Sequence, residues 1–167
     1  MLHRTLVPEP LTQAAFAPYG DLIQACDSNR IIPINYGLTE RHDDLCRPDI
    51  ADHGGHATIS VFKSQPITLP FRILVMERHP LGSQAFAMLS GNPYIVVVAP
   101  PGSFDHTQLR AFAAKPYQGV NIHKGTWHHY CLGLNAVSDF LVIDRGGEGD
   151  NCDEQQLPSD VHIELST

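Results

Sequence analysis

The chain has no apolar run approaching the roughly 20 residues that span a bilayer, which argues against a membrane-embedded role. Basic residues are few: 11 Lys and Arg stand against 18 Asp and Glu, a formal net charge of −7. That balance argues against nucleic acid as a partner, because binding a polyphosphate calls for a basic face. An anionic small molecule would have to be met by locally placed Arg or Lys. The four cysteines, Cys26, Cys46, Cys131 and Cys152, are widely spread with no C-x-x-C pair. They read as inert thiols rather than as a disulfide framework or a nucleophile. Residues 1–8 lack the apolar core of a secretion signal, so a cytoplasmic location is expected. No internal repeat or linker interrupts the sequence, and one domain over residues 1–167 is expected.

With 43% hydrophobic and 17% charged residues, the chain reads as globular. Helix is scarce too. Residues 11–20 predict one short helix, capped by Thr12 and stopped by Pro18 and Gly20. Residues 21–24 predict a strand, and residues 29–48, mixed and polar, predict a functional loop or an arm, with solvated charge as the plainer reading. From Ala57 onward, short strands are predicted over 58–63, 71–79, 84–89, 94–99, 109–113, 119–122 and 139–144, with Gly and Pro between them. Such spacing predicts a mainly β sandwich or small antiparallel barrel. Tyr94–Ala99 is apolar throughout and predicts burial on both faces. The acidic, glycine-rich stretch from Gly146 is expected on the surface or against a partner subunit.

Residues 71–86 read F-R-I-L-V-M-E-R-H-P-L-G-S-Q-A-F. Period two puts Phe71, Ile73, Val75, Glu77 and His79 on one face of a strand, with Leu74 and Met76 on the other. Pro80-Leu81-Gly82 ends it, and Gln84, Phe86 and Met88 begin a second row. A carboxylate and an imidazole that follow an apolar ladder inward are costly unless paired or engaged in chemistry. The bland alternative is that Glu77 and His79 merely end the strand at a solvated rim. Further on, His123-Lys124-Gly125-Thr126-Trp127-His128-His129 sets three imidazoles around a glycine turn and the only tryptophan. Adjacent His128 and His129 point opposite ways on a strand, so at most one joins a given site. His128 is the candidate; for His123 and His129 a hydrogen-bonded surface histidine is the plainer reading.

Glu77-x-His79-x-x-x-x-Gln84 followed by Gly91 resembles the first cupin motif, His-x-His-x(4)-Glu-x(6)-Gly, with Glu77 and Gln84 replacing its first histidine and its glutamate. His123-x-Gly125-x-x-His128 resembles the second, Pro-x-Gly-x-x-His. The runs E-R-H-P-L-G-S-Q-A-F, G-V-N-I-H-K-G-T-W-H-H and D-F-L-V-I-D-R-G-G resemble the ureidoglycolate lyase family specifically. The likeness extends to L-T-Q-A-A-F-A-P-Y-G-D near the start and D-N-C-D near the end.

That resemblance implies a cupin-like antiparallel β-barrel of jelly-roll type with a short N-terminal helix. It implies a homodimer and the cleavage of ureidoglycolate to glyoxylate and urea during allantoin breakdown, with no organic cofactor. Covered faces at Tyr94–Ala99, with Leu74 and Met76 outward, would suit pairing of sheets between subunits. The substrate is a carbinolamide bearing a carboxylate. Its cleavage needs a base, an acid and a carboxylate clamp. Glu77, His79 and His128 are the titratable candidates, a kind of catalysis that gives about 10²–10⁴-fold. Gln84 could hydrogen-bond the hydroxyl or the urea carbonyl. For the clamp a bidentate Arg is preferred, and Arg145 suits a rim position, whereas parity turns Arg72 and Arg78 away. Lys63, Lys124 and His123 are further candidates against a solvated reading. His79, Gln84 and His128 could also hold one divalent metal of nickel or manganese type. A metal-dependent cupin oxygenase and a non-catalytic cupin binding a small carboxylate are the alternative functions.

Overall fold

The strand Tyr94–Ala99 lies at the centre of the protein in a computed structural model that describes residues 2–166. All six of its side chains are buried. Tyr94, Val96 and Val98 enter one core, and Ile95, Val97 and Ala99 enter another. Alternation along a strand sends neighbours to opposite faces, so a wholly apolar strand needs a layer on each side.

Both layers come from the chain itself. The central strand belongs to a seven-stranded sheet whose order runs Asp153–Gln156, Val75–Arg78, Trp127–His128, Tyr94–Ala99, Arg110–Ala114 and Glu9–Pro10, with Leu132–Gly133 also paired to the central strand. A five-stranded antiparallel sheet faces it, in the order Gly20–Ile23, Gly119–Ile122, Gln84–Met88, Ser138–Gly146 and His56–Ser64. Between them Phe86, Val120, Ile122, Phe140 and Val142 meet Tyr94, Val96, Val98 and Phe112. Edge-to-face ring pairs fill this core: Tyr94 with Phe140 at 5.3 Å and Phe16 with Phe112 at 5.5 Å. A three-stranded sheet of Leu2–Leu6, Val161–Leu165 and Phe71–Ile73 covers the other face through Leu6, Ile73, Val161, Ile163 and Leu165. The class is mainly β, as the strand spacing predicts, and two facing sheets of this kind are compatible with a jelly roll. Among the described residues no helix is long and apolar enough to cross a membrane.

Several elements differ from expectation. The helix is a single turn, Gln13–Phe16, with the Thr12 side chain accepting from the Ala15 amide at 3.2 Å. The polar segment after Asn29 is a hairpin, Arg30–Ile34 with Thr39–Asp43, that exposes Ile31, Ile34, Tyr36 and Leu38. Residues 71–79 are not one strand. The chain breaks at Leu74 and passes from the three-stranded to the seven-stranded sheet. Ile73 and Met76 therefore share one core, so Met76 is buried rather than outward, while Leu74 is exposed. The period of two restarts after the break, and Glu77 lies on the opposite face from Ile73. The acidic stretch 146–154 lies at the surface, as expected, and beyond it the chain returns to the interior, where Val161, Ile163 and Leu165 are core residues.

Phe112 has no exposed surface and touches both Phe16 and the Arg110 guanidinium, 4.9 Å above its ring. Phe112→Ala should cost about 3–5 kcal/mol through lost contacts and a residual cavity. A lower urea midpoint with an unchanged m-value would show it.

Candidate active site

Register builds the site. Trp127–His128 pairs with Val75–Arg78 so that His128 stands directly opposite Glu77, and it pairs with the central strand so that His128 stands opposite Val98. Residues opposite one another share a face, so Glu77 and His128 turn with Val98 toward the five-stranded sheet. Trp127 faces the other core, where the Arg78 guanidinium lies 4.6 Å above its ring. The turn before this strand is tied back by the Gly125 amide, which donates to the His79 carbonyl at 2.9 Å. Gly125 has φ +80°, and an added Cβ would meet only Pro101 at 3.8 Å. Conformation, not space, calls for glycine there.

The His79 and His128 rings lie 5.0 Å apart, and His128 is 1% exposed. On each ring Nδ1 faces a backbone carbonyl, that of Asn151 at 2.6 Å for His79 and that of Thr126 at 3.1 Å for His128. A carbonyl only accepts, so Nδ1 carries a hydrogen in both cases and the Nε2 atoms are left for the shared space. Glu77 Oε1 is 3.4 Å from His128 Nε2, within ion-pair range, yet Nε2 makes no hydrogen bond and is buried. The neighbouring His128 holds the Glu77 carboxyl below the ordinary range, against the upward push of burial. From the facing sheet, Gln84 Oε1 comes within 3.2 Å of His79 Nε2, and Gln84 Nε2 donates to Asp144 Oδ2 at 3.2 Å.

Ligand atoms of Glu77, His79 and His128 lie within 4.8 Å of one another. The donor set fits a divalent cation: two imidazoles anchored through their other nitrogen, a carboxylate, and a buried His128 Nε2 with no hydrogen-bond partner. Glu77 also belongs to a more exposed group with Cys152 and Glu154. The Cys152 thiol, 4.0 Å from Glu77 Oε2, is pushed up by burial and by that carboxylate, so it is not activated.

The other candidates stand apart from this cluster. Arg145 is buried rather than at a rim, donating to the carbonyls of Asp52 and Glu148 and packed among Gly55, Gly82 and Gly147. Lys63 pairs with Asp139 at 2.6 Å, five strand residues, or about 17 Å, from Asp144. His123 pairs with Asp21 at 3.0 Å at a half-exposed position, and Lys124 pairs with Asp49 and Asp52. His129 is buried, not superficial, and its ring meets Phe71 edge-on at 5.8 Å. A small apolar hole of about 10 Å³ near Phe86, Val120 and Ile122 has room for no more than about one water, too little for a substrate.

Three contributors escaped the sequence reading: Asn151, which accepts from His79 and whose side chain accepts from the Leu81 amide, and Asp144 with Thr58 behind Gln84. A signal for Asp144 existed. Phe140 and Val142 are inward, and period two carries the same face to residue 144.

These features define a class, a mainly β protein whose facing sheets enclose a two-histidine, one-carboxylate site at the end of a shared core. Within it, the model of the ureidoglycolate lyase family matches residues 3–164. The chain is 53% identical over 160 residues to a ureidoglycolate lyase of Burkholderia mallei (strain NCTC 10229), covering 96% of this chain and 94% of the relative. It is 47% identical over 163 residues to a ureidoglycolate lyase of Pseudomonas aeruginosa (strain LESB58), covering 97% and 96%. The chain belongs to the ureidoglycolate lyase family.

Burial pulls the His129 pKa down to about 4 from 6.5. Between those values the unfolded chain binds more protons than the folded one. Stability from this group is therefore complete above pH 6.5 and declines as pH falls toward 4, by about 3 kcal/mol in total. His129→Gln should flatten the loss of stability across that window, measured by urea midpoints at successive pH values.

Proposed function

We propose that the protein is a ureidoglycolate lyase, cleaving ureidoglycolate to glyoxylate and urea in allantoin breakdown. The observation that carries this is the convergence of His79 Nε2, His128 Nε2 and Glu77 on one space, supported by the family membership. The substrate carries a hydroxyl, a carboxylate and a ureido nitrogen on one carbon. One imidazole Nε2 takes the hydroxyl proton, the oxygen's electrons form the aldehyde C=O, and the C–N pair leaves with the nitrogen. The other imidazole supplies the proton that nitrogen takes, so one proton enters and one leaves the site. Both rings are held by their Nδ1–H bonds to carbonyls, which prevents rotation and limits reorganisation during transfer. Glu77 orients His128 and balances a proton arriving there.

Glu77, His79 and His128, with Gln84 Oε1 beside them, would alternatively hold one divalent ion of nickel or manganese type, the Nε2 lone pairs then serving as ligands rather than as base and acid. Such an ion supplies positive charge for the substrate's carboxylate and hydroxyl oxygens. This meets a need the nearby cations leave open, because Arg78, Lys124 and Arg145 are each bound to other protein groups. Arg145 then acts by fixing the loop around Asp52.

The test is urea release from ureidoglycolate, with and without prior chelation. His79→Ala and His128→Ala should each lower turnover roughly 10²-fold or more in folded protein. His129→Ala, below its unfolding temperature, should do much less. Chelation should abolish activity and added divalent ion restore it; activity indifferent to chelator would leave the residues acting as acid and base alone.

The same reading takes the chain as one cupin-type domain, since both cores share the central strand. It places the protein in the cytoplasm, in keeping with four free cysteines, and pairs it as a homodimer. Two-sided burial at Tyr94–Ala99 does not call for a second subunit, but the surface offers other support. The edge strand His56–Ser64 exposes Ile59 at 72% and Val61 at 57%, and the hairpin exposes Leu38 at 88%. A long apolar edge is a surface that proteins cover. Light scattering at micromolar concentration should give twice the chain mass; a monomer mass would refute the pairing.

A further inference from the structure

Gln84 is 5% exposed, and its amide is set between Asp144 and His79. The two ends are not interchangeable. Its Nε2 lies 3.2 Å from Asp144 Oδ2, and a carboxylate only accepts. The other Asp144 oxygen accepts from the Thr58 hydroxyl, on the neighbouring strand where Thr58 and Asp144 are register partners. Turning the amide over would set Gln84 Oε1 against Asp144 Oδ2, two acceptors with no hydrogen between them. Oε1 is thereby turned to the site, 3.2 Å from His79 Nε2; with the ring hydrogen on Nδ1 that pair makes no hydrogen bond, a lesser cost than an oxygen against a full carboxylate, and both atoms are left facing one donor or cation.

We propose that Asp144 is a positioning residue that fixes the amide of Gln84, so that the site meets its ligand through a carbonyl oxygen. An amide oxygen has two lone pairs, accepts hydrogen bonds and ligates hard cations; the NH₂ end does neither. Gln84 therefore takes a hydrogen bond from an N–H or O–H of the substrate and does not donate to its carboxylate or urea carbonyl. The identity of that substrate rests on the lyase reading above, whereas the orientation of the amide does not.

The experiment uses full-length protein, with and without added divalent ion, and reads two quantities. In the spectrum of the labelled wild type, the Gln84 side-chain amide protons should exchange slowly and show coupling across a hydrogen bond to the Asp144 carboxylate carbon. Asp144→Asn frees the amide to turn over, because an amide can present either end to it. Exchange should then accelerate and kcat/KM for urea release should fall roughly 10-fold or more. Gln84→Glu alone sets two carboxylates together and should also fall. Combining Asp144→Asn with Gln84→Glu restores an oxygen toward His79 and a donor behind it, so the double variant should recover most of the loss. A merely structural Asp144 would give additive losses. Fast exchange or no such coupling in the wild type would overturn the proposal even if the variants do not fold. So would additive losses in folded variants. A wild type that releases no urea yet shows the slow, coupled amide would instead remove the lyase reading and leave the positioning role standing.

Discussion

Burial of both faces of Tyr94–Ala99 is the constraint from which the rest of the architecture follows. An apolar strand with no solvated side stabilises the protein only where two layers are supplied, and here each layer draws on distant parts of the chain. One sheet brings together residues near positions 20, 60, 85, 120 and 140; the other layer joins the first strand to the last. Removing either would return Ile95, Val97 and Ala99, or Tyr94, Val96 and Val98, to water. The order of the sheets is set by where apolar area can be hidden.

The site occupies the end of that same layering. Glu77 and His128 follow Val98 outward on the face that packs against the five-stranded sheet. They sit where the core gives way to polar groups, and the low dielectric there makes every unpaired group expensive. His128 Nε2 is such a group, buried without a hydrogen bond. The protein tolerates that cost at the position where a proton or a cation would relieve it, and it satisfies the ring's other nitrogen with the Thr126 carbonyl. His79 is held in the same manner from Asn151, so the stretch after Gly146 anchors one ring of the cluster.

Charge follows a similar economy. The chain is acidic overall, and the cations near the site are bound to carboxylates and carbonyls that hold loops: Lys124 on Asp49 and Asp52, Arg145 on Asp52 and Glu148, Arg78 on Asp153. They shape the walls of the site. Positive charge for a substrate carboxylate has to come from the histidine pair or from a cation held beside it.

Much of this was legible in the sequence, because periodicity and punctuation are local properties. Alternation in Gly119–Ile122 and the unbroken apolar run Tyr94–Ala99 specify strands, Thr12 specifies a cap, and the spacing of Glu77, His79, Gln84 and His128 specifies a site held on two motifs. The alternation V-H-I-E-L over Val161–Leu165 specifies a core strand too, although the acidic stretch before it draws attention to the surface. What only the tertiary structure decided were matters of partnership between distant residues. The break at Leu74 changes sheets, because Ile73 and Met76 must reach the same core, and no local pattern announces it. Arg145 turns inward to backbone carbonyls, since loops around Gly55 and Gly147 leave room for it. The burial of His129 against Phe71 depends on where the three-stranded sheet lies. The polarity of Gln84 is set by Asp144, sixty residues away. A side chain's type and spacing are written locally; which end of it faces the site is a property of what stands behind it.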